Sequence, residues 1–224
     1  MSRLLAKIRN WDAVRKFVHF SVGLATYPSF AIINKLHIVG AENLENLPSK
    51  NVLFVSNHQT YFMDVIALFH IFSAFRWGKR NRLGFPLYFL NPYTRVNYVA
   101  AEKTMKSSLM SRLFLLAGGL TVRRTWNEDS KEIRSGLDPS DTRKIERSLA
   151  NNWIITFPQG TTTPFAPARK GTALIIKHHK PIVIPIVLNG FSKAFTKTGV
   201  GLRRRGTLLQ VTFKEPLQID FEAS

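Results

Sequence analysis

The fold is most readable in residues 52–64, VLFVSNHQTYFMD, where a short apolar run passes through a polar turn into a second apolar segment. The run at 52–55 is β-branched and aromatic, which is typical of a buried strand. We expect a helix to start near Thr60. Because sites in open α/β sheets lie at the carboxyl ends of strands, this turn is the first place to look for chemistry.

Outward from this segment, strand-like and helix-like runs alternate along the chain. The strand-like runs lie at 37–39, 52–55, 96–99, 120–122, 153–157, 182–187 and 208–213, and the helix-like runs lie at 64–75, 107–117, 142–150 and 171–178. This alternation predicts an α/β fold, with a single-layer mixed sheet flanked by helices. Pro185 interrupts the run at 182–187 and predicts an edge strand or a bulge, because proline cannot donate to the ladder.

Residues 1–35 have a pattern of their own and are predicted to form a separate membrane-associating unit before a domain at 36–224. Cations are interspersed with apolar residues up to residue 18, and residues 17–34 are mostly apolar. The apolar run is short of the roughly 20 residues that a spanning helix needs, and Pro28 lies inside it. We expect a helix in the membrane interface followed by an apolar helix that dips into the membrane. A buried core helix is the alternative.

The composition limits the possible partners and chemistry. Thirty-two Lys and Arg face 14 Asp and Glu, for a formal net charge of +18, so an anionic partner is favoured: nucleic acid, anionic lipid or an acidic carrier protein. No nucleic-acid-binding motif is visible, and no nucleic-acid partner is expected. The chain has no cysteine, which excludes disulfides and thiolate chemistry.

His58 and Asp64 are the candidate catalytic pair in the turn after the first buried strand. Asp64 is the only carboxylate between Glu45 and Glu102. A histidine oriented by a carboxylate can act as a general base. No G-x-S-x-G elbow is present, so the simplest chemistry is direct attack of a hydroxyl on an acyl carbonyl. On this pair alone, a structural histidine is the favoured interpretation.

Three later stretches could bind anions, although each could also be an ordinary surface feature. The first is 118–124, GGLTVRR, which ends in two arginines suited to phosphate. The second is 157–163, FPQGTTT, a turn rich in hydroxyl and backbone donors. The third is 169–171, RKG, which leads into a predicted helix. The alternatives are solvated charges for the basic stretches and a plain capped loop for FPQGTTT.

In this order the stretches resemble the glycerolipid acyltransferase family, whose best-known members are the 1-acylglycerol-3-phosphate acyltransferases. The resemblance covers roughly residues 36–217. Asn57, His58 and Asp64 resemble the family motif N-H-x-x-x-x-D, and residues 118–124 resemble its Gly-led strand ending in Arg. The stretch FPQGTT resembles F-P-E-G-T-R, and PIVIPIV at 181–187 resembles its proline-bearing strand. Four motifs in order are far more specific than any one alone.

The resemblance implies an O-acyltransferase in which His58 is the base and Asp64 its orienting partner. The acyl donor would be acyl-CoA or acyl-carrier protein, and the acceptor would be a lysolipid, with 1-acylglycerol-3-phosphate first. The family works at the membrane face, which implies a peripheral or monotopic protein on the cytoplasmic side of the cell membrane. No metal or other cofactor is implied. The substrate-binding residues implied by the motifs are Asn57, Arg123, Arg124, Gly160, Thr161, Thr162 and Lys170.

The chain departs from the family pattern in three places. Five residues separate His58 from Asp64 where the family usually has four, Gln159 stands where the motif has Glu, and Thr162 stands where it has Arg. The pair can still meet if the turn before the helix absorbs the extra residue. The missing arginine leaves open an acceptor with a substituted head group, or a lyso-aminolipid. A basic nucleic-acid-binding protein and a catalytically silent membrane scaffold are the alternatives from other classes.

Overall fold

The computed structural model describes residues 12–105, 109–122 and 138–221, and the elements named below belong to those residues. The helices are α1 (Asp12–Ala31), α2 (Met63–Arg76), α3 (Glu102–Met105), α4 (Leu109–Leu116), α5 (Pro139–Leu149), α6 (Lys170–His179) and α7 (Phe191–Ala194). The strands are β1 (Lys35–Val39), β2 (Val52–Ser56), β3 (Val96–Ala101), β4 (Gly119–Val122), β5 (Trp153–Thr156), β6 (Ile182–Asn189) and β7 (Leu208–Phe213). Short 3-10 turns lie at Ala41–Leu44 and Pro86–Leu90.

The strands form one mixed sheet in the order β1-β7-β6-β2-β5-β3-β4. Neighbouring strands run parallel except for β6 and β7, which are antiparallel. The predicted single-layer mixed sheet flanked by helices is confirmed. Strand β2 lies in the middle between β5 and β6, so its carboxyl end meets theirs at one edge of the sheet.

The alternation of side chains along β2 explains why helices cover both faces of the sheet. Val52 and Phe54 point into the larger core cluster, whereas Leu53 points into the smaller one on the other face. Residues of α1, α2 and α4 fill the larger cluster, and residues of α5 and α6 fill the smaller one. The centre of the sheet is therefore buried on both faces, which explains why the sequence of β2 is apolar throughout and does not alternate with polar residues.

The start of α2 is the main difference in element boundaries from the sequence prediction. The helix begins at Met63 and not near Thr60. The physical reason is that the backbone N–H groups of Gln59 and Thr60 donate to the side chain of Asp64. Gln59 and Thr60 therefore belong to the turn around this carboxylate, and Phe62 is the N-cap residue of the helix.

Strand β6 corrects the expectation drawn from its proline. It lies inside the sheet between β7 and β2, so the prediction of an edge strand was wrong. The pairing of β6 with β7 begins at Ile186, one residue after Pro185, and the Pro185 carbonyl accepts from the Lys214 N–H at 2.9 Å. The proline therefore falls where the ladder to β7 ends.

Helix α1 is a single helix over residues for which two successive helices were expected, and residues 1–11 lie outside the described part. One face packs on the core through Val18, His19, Gly23 and Phe30. A Cβ on Gly23 would overlap the ring of Phe89, so glycine is what lets the helix approach this closely. This packing agrees with the core-helix alternative for one face of α1.

The other side of α1 and the adjacent 3-10 turn expose large apolar side chains. We call this set the apolar surface: Phe17, Phe20 and Leu24 of α1 with Phe85, Leu87 and Leu90, exposed by 36% to 74%. Exposed apolar patches of this kind mark interaction sites. In the described ranges no helix has both the length and the hydropathy to cross a bilayer. Association of residues 1–35 with a membrane stays a prediction.

Two buried histidines fasten α1 to the core. His19 stacks on Phe69 with ring centroids 4.4 Å apart, and its Nε2 lies 2.9 Å from the Ala117 carbonyl oxygen. His70 of α2 lies between Thr26 of α1 and the Tyr88 hydroxyl, at 2.9 and 3.0 Å. Burial lowers the pKa of His19 to about 4 and that of His70 to about 3. Both histidines are therefore neutral in the folded protein near neutral pH.

These pKa values predict that the folded protein is less stable in acid. A histidine in the unfolded chain has a pKa of about 6.5. Below that pH the unfolded state binds protons at these histidines, whereas the folded state does not bind them until the pH approaches the lowered pKa values. The free energy of unfolding should fall as the pH drops from about 6.5 toward 4, by about 2 kcal/mol per histidine near pH 5. Urea unfolding at neutral and mildly acidic pH measures this slope.

The matched comparison uses two pairs of histidines. His19→Gln with His70→Gln should flatten the slope, whereas His37→Gln with His178→Gln, at two exposed positions, should leave it in place. An equal slope in both double variants would show that the buried pair is not its source.

Candidate active site

The carboxyl ends of β2, β5 and β6 bring three distant segments together. His58 lies two residues beyond the end of β2, and Phe157 directly follows β5. Their rings stack with centroids 4.0 Å apart and planes inclined by 21°. Parallel pairing of β2 with β5 thus places the imidazole against the start of the FPQGTTT turn.

The predicted pairing of His58 with Asp64 is present in the structure. His58 Nδ1 and Asp64 Oδ2 are 2.9 Å apart. The Asp64 side chain is fully buried, and that of His58 is 14% exposed. Residues 59–62 lie in the turn before α2, so the pair meets despite the extra residue, which was the condition set by the sequence analysis. The turn surrounds the carboxylate, because Asp64 also accepts from Gln59 N–H, Thr60 N–H and the Thr60 hydroxyl.

This hydrogen bonding sets the tautomer of the imidazole. Besides His58 Nδ1, the Asp64 side chain has donors on both oxygens: two backbone N–H groups at Oδ2 and the Thr60 hydroxyl at Oδ1. The carboxylate can only accept, so the His58 hydrogen lies on Nδ1. Nε2 is then left with a lone pair. The arrangement can take a proton from a hydroxyl and stabilise the resulting imidazolium.

Two polar side chains beside His58 hold the turn onto β6. The Asn57 amide makes two bonds with the Leu188 backbone: its Oδ1 accepts from the N–H at 2.7 Å and its Nδ2 donates to the carbonyl at 2.9 Å. Gln59 donates to the same carbonyl and accepts from the Ser192 N–H. Sequence reasoning assigned Asn57 to substrate binding, which stays a prediction, and did not single out Gln59. Both amides fix the backbone on either side of His58.

In the FPQGTTT turn, Gln159 makes a hydrogen bond that explains why glutamine suits this position. Gln159 Nε2 donates to the Ala166 carbonyl at 2.8 Å, which closes the loop that follows the turn. A glutamate carboxylate could not make this bond, because it has no hydrogen to donate. Gly160 has φ of +60°, a conformation that favours glycine, and its N–H donates to the Phe157 carbonyl. Thr161 and Thr162 are half-buried in the same turn.

Arg169 belongs to the RKG stretch that was predicted to bind anions, although the substrate-binding residues implied by the motifs included only Lys170 of that stretch. It precedes α6, and its N–H donates to the Pro158 carbonyl at 2.9 Å. Its side chain folds back over the turn, so that a Cβ on Gly160 would lie 3.4 Å from Nε. Lys170, which was predicted to bind substrate, is the exposed first residue of α6. The stretch RKG was visible in the sequence, but which cation returns to the turn depends on the fold.

The arginines predicted to bind phosphate lie outside the described residues. Strand β4 ends at Val122, and residues 123–137 are not described. The predicted roles of Arg123 and Arg124 therefore stay predictions.

A narrow apolar crevice lies between α1, α2 and α4. Its walls include Val22, Ile66, Phe69, Phe89 and Phe114. Three of these, Ile66, Phe69 and Phe89, come from one apolar stretch at 66–89. The free space of about 10 Å³ is close to the minimum for a single water. An acyl chain would enter only if the walls separated.

A family model matches most of the chain, including the residues of this site. Residues 38–189 match the family model described as acyltransferase. The chain belongs to the acyltransferase family. This agrees with the resemblance to glycerolipid acyltransferases found in the four motifs, all of which lie within or overlap the matched residues.

A solved structure has the same fold. It is the crystal structure of the 1-acyl-sn-glycerophosphate acyltransferase PlsC from Thermotoga maritima, with a TM-score of 0.55 and 18% sequence identity. The match covers 91% of this chain and 70% of that one. A comparison with curated proteins gave no match.

Because the Asp64 side chain is buried among several donors, we expect its replacement to destabilise the folded protein. Asp64→Asn should lower the free energy of unfolding by about 1–3 kcal/mol, because an amide replaces a charged acceptor of several buried donors. Thr60→Val, which removes only one of those donors, should cost less. Urea unfolding of both variants measures the difference. If Thr60→Val costs as much as Asp64→Asn, the carboxylate is not the organising group.

Proposed function

We propose that the protein is an O-acyltransferase that moves a fatty acyl group from a thioester to the hydroxyl of a lysoglycerolipid, with His58 as the general base. The observation that carries this proposal is the His58–Asp64 pair at the carboxyl end of β2, stacked on the motif turn through Phe157. Membership of the acyltransferase family supports the reaction class. The donor is acyl-CoA or acyl-carrier protein.

The chemistry follows from the tautomer. Nε2 of His58 accepts the proton of the acceptor hydroxyl while its oxygen attacks the thioester carbonyl. The carbon–sulfur bond breaks, the new ester forms, and the proton passes from the imidazolium to the departing thiolate. Asp64 stabilises the imidazolium while it exists. Hydroxyl and backbone donors of the FPQGTTT turn are suited to stabilise the oxyanion that forms between these steps.

We propose 1-acylglycerol-3-phosphate as the acceptor, which would give phosphatidate. By resemblance, Arg124 binds its phosphate, and Arg123 or Lys170 compensates for the arginine that the motif turn lacks. Within the described residues, the Arg169 side chain over Gly160 is a further cation at the turn. The family motif has an arginine where this chain has Thr162, so Arg169 leaves the turn with a guanidinium close to Gly160. Arginine suits phosphate because its planar fork donates in pairs.

A second acceptor class is favoured by the same substitution. Thr162 removes a cation from the motif turn, which suits a lysophospholipid with a substituted head group or a lyso-aminolipid. In either case we place the protein at the cell membrane, peripheral or monotopic on the cytoplasmic face. The apolar surface of α1 and the turn at Pro86–Leu90 supports this placement, since lysolipids reside in the membrane.

Acyl transfer from labelled donors to a panel of acceptors tests the reaction. The panel contains lysophosphatidate, lysophosphatidylethanolamine and a lyso-aminolipid, each with acyl-CoA and acyl-carrier protein. His58→Ala should lower kcat by about 10²–10⁴-fold, because the general base is lost. His178→Ala, at an exposed position on α6, should have wild-type activity. Absence of transfer by the wild type to every acceptor would refute the proposal.

The role of Arg169 can be measured separately. Arg169→Gln should raise KM for lysophosphatidate by about tenfold or more, because a charge-assisted contact to phosphate is lost. Lys177→Gln, an exposed cation later on the same helix, is the control and should leave KM unchanged. Equal KM values for wild type and Arg169→Gln would remove Arg169 from the acceptor site.

A further inference from the structure

A strongly basic loop follows β6. No Asp or Glu occurs between Glu146 and Glu215. Within this stretch, residues 193–205 form what we call the basic loop, with the exposed cations Lys193, Lys197, Arg203, Arg204 and Arg205. Two apolar side chains stand among them, Val200 at 65% and Leu202 at 40% exposure. The cations have no acidic neighbours in sequence to neutralise them.

The basic loop has a defined shape. Phe195 and Leu202 form an antiparallel bridge. Across the loop, the Thr196 N–H donates to the Gly201 carbonyl and the Arg203 N–H to the Ala194 carbonyl, at 2.8 and 2.7 Å. These bonds hold Val200 at an exposed tip between two glycines, with cations on both sides of it.

The same loop supports the turn that carries His58. The Tyr61 N–H donates to the Lys197 carbonyl at 3.0 Å, and Lys197 Nζ lies 5.9 Å from the centre of the Tyr61 ring. Gly199 has φ of +87° and approaches so closely that a Cβ there would lie 2.9 Å from the Met63 nitrogen. Whatever holds the basic loop therefore also holds the catalytic turn.

The basic loop also adjoins the end of α1. Phe195 packs on Phe30 with ring centroids 6.2 Å apart, and the Gly206 N–H donates to the Ile33 carbonyl at 2.8 Å. Next to this junction Ile32 is 74% exposed. The loop thus sits at one end of the helix whose outer side contributes to the apolar surface.

We infer that the basic loop is a docking surface for a membrane that contains anionic lipid, separate from the acyl-transfer chemistry proposed above. Its cations match the negative charge of lipid phosphates, and Val200, Leu202 and Ile32 are suited to enter the boundary between head groups and acyl chains. Interleaved apolar side chains and contact with α1 favour a lipid surface over an acidic protein. Docking there holds the His58 turn beside the membrane.

Vesicle sedimentation with the full chain tests the docking surface without any need for enzyme activity. The test variant is Lys193→Gln, Arg204→Gln and Arg205→Gln together. The control is Arg143→Gln, Arg147→Gln and Lys177→Gln, which removes the same charge from exposed positions of α5 and α6 on the other face of the sheet. Vesicles are phosphatidylcholine alone or phosphatidylcholine with phosphatidylglycerol.

The loop variant should bind the anionic vesicles about 10- to 100-fold more weakly than wild type at low salt, because each cation near the surface contributes to attraction. Salt should weaken wild-type binding toward the level of the variant, since exposed charges are screened. The control should bind within about twofold of wild type. Arg204→Lys with Arg205→Lys should bind like wild type, which separates lost charge from lost folding.

Three outcomes would overturn the inference. Equal binding by wild type and the loop variant would remove the basic loop from membrane contact. Equal weakening in the loop variant and the control would show that only the net charge matters. If vesicle binding is unchanged but binding of an acidic acyl-carrier protein is lost in the loop variant, the surface docks that protein and not a membrane.

Discussion

The Asp64 carboxylate is buried at the first turn of α2, where its charge is tolerable only because the preceding turn surrounds it with donors. His58, Gln59 and Thr60 all point hydrogens at it. This one requirement sets where α2 begins, how the turn is shaped and which ring nitrogen of His58 carries the proton.

The sheet supplies the rigid frame around that turn. Pairing of β2 with β5 brings Phe157 to the imidazole, and pairing with β6 brings Leu188 to the amides of Asn57 and Gln59. Sites supported by strands and by such secondary hydrogen bonds keep precise geometry. The basic loop extends the same support outward, through its bond to Tyr61. The turn that carries His58 is thus supported by the core, by β6 and by the basic loop.

The departures from the family pattern have different physical meanings. The extra residue between His58 and Asp64 is absorbed without loss of their contact. Gln159 gains a bond to Ala166 that glutamate could not make. Thr162 removes a cation from the turn, and the fold brings Arg169 back over the neighbouring glycine. With both substitutions present, the turn still lies beside His58, whose ring stacks on Phe157.

The sequence by itself determined the positions of the seven described strands, the four longer helices after residue 35, the mixed α/β class and the His58–Asp64 candidate. These follow from local periodicity and from motifs that are contiguous in the chain. Only the tertiary structure decided the start of α2, the interior place of the proline-bearing β6, the packing of α1 through Gly23 on Phe89, and the return of Arg169 to Gly160. Each of these depends on contacts between side chains and backbone that no local pattern specifies, because the partners meet only after the sheet has formed.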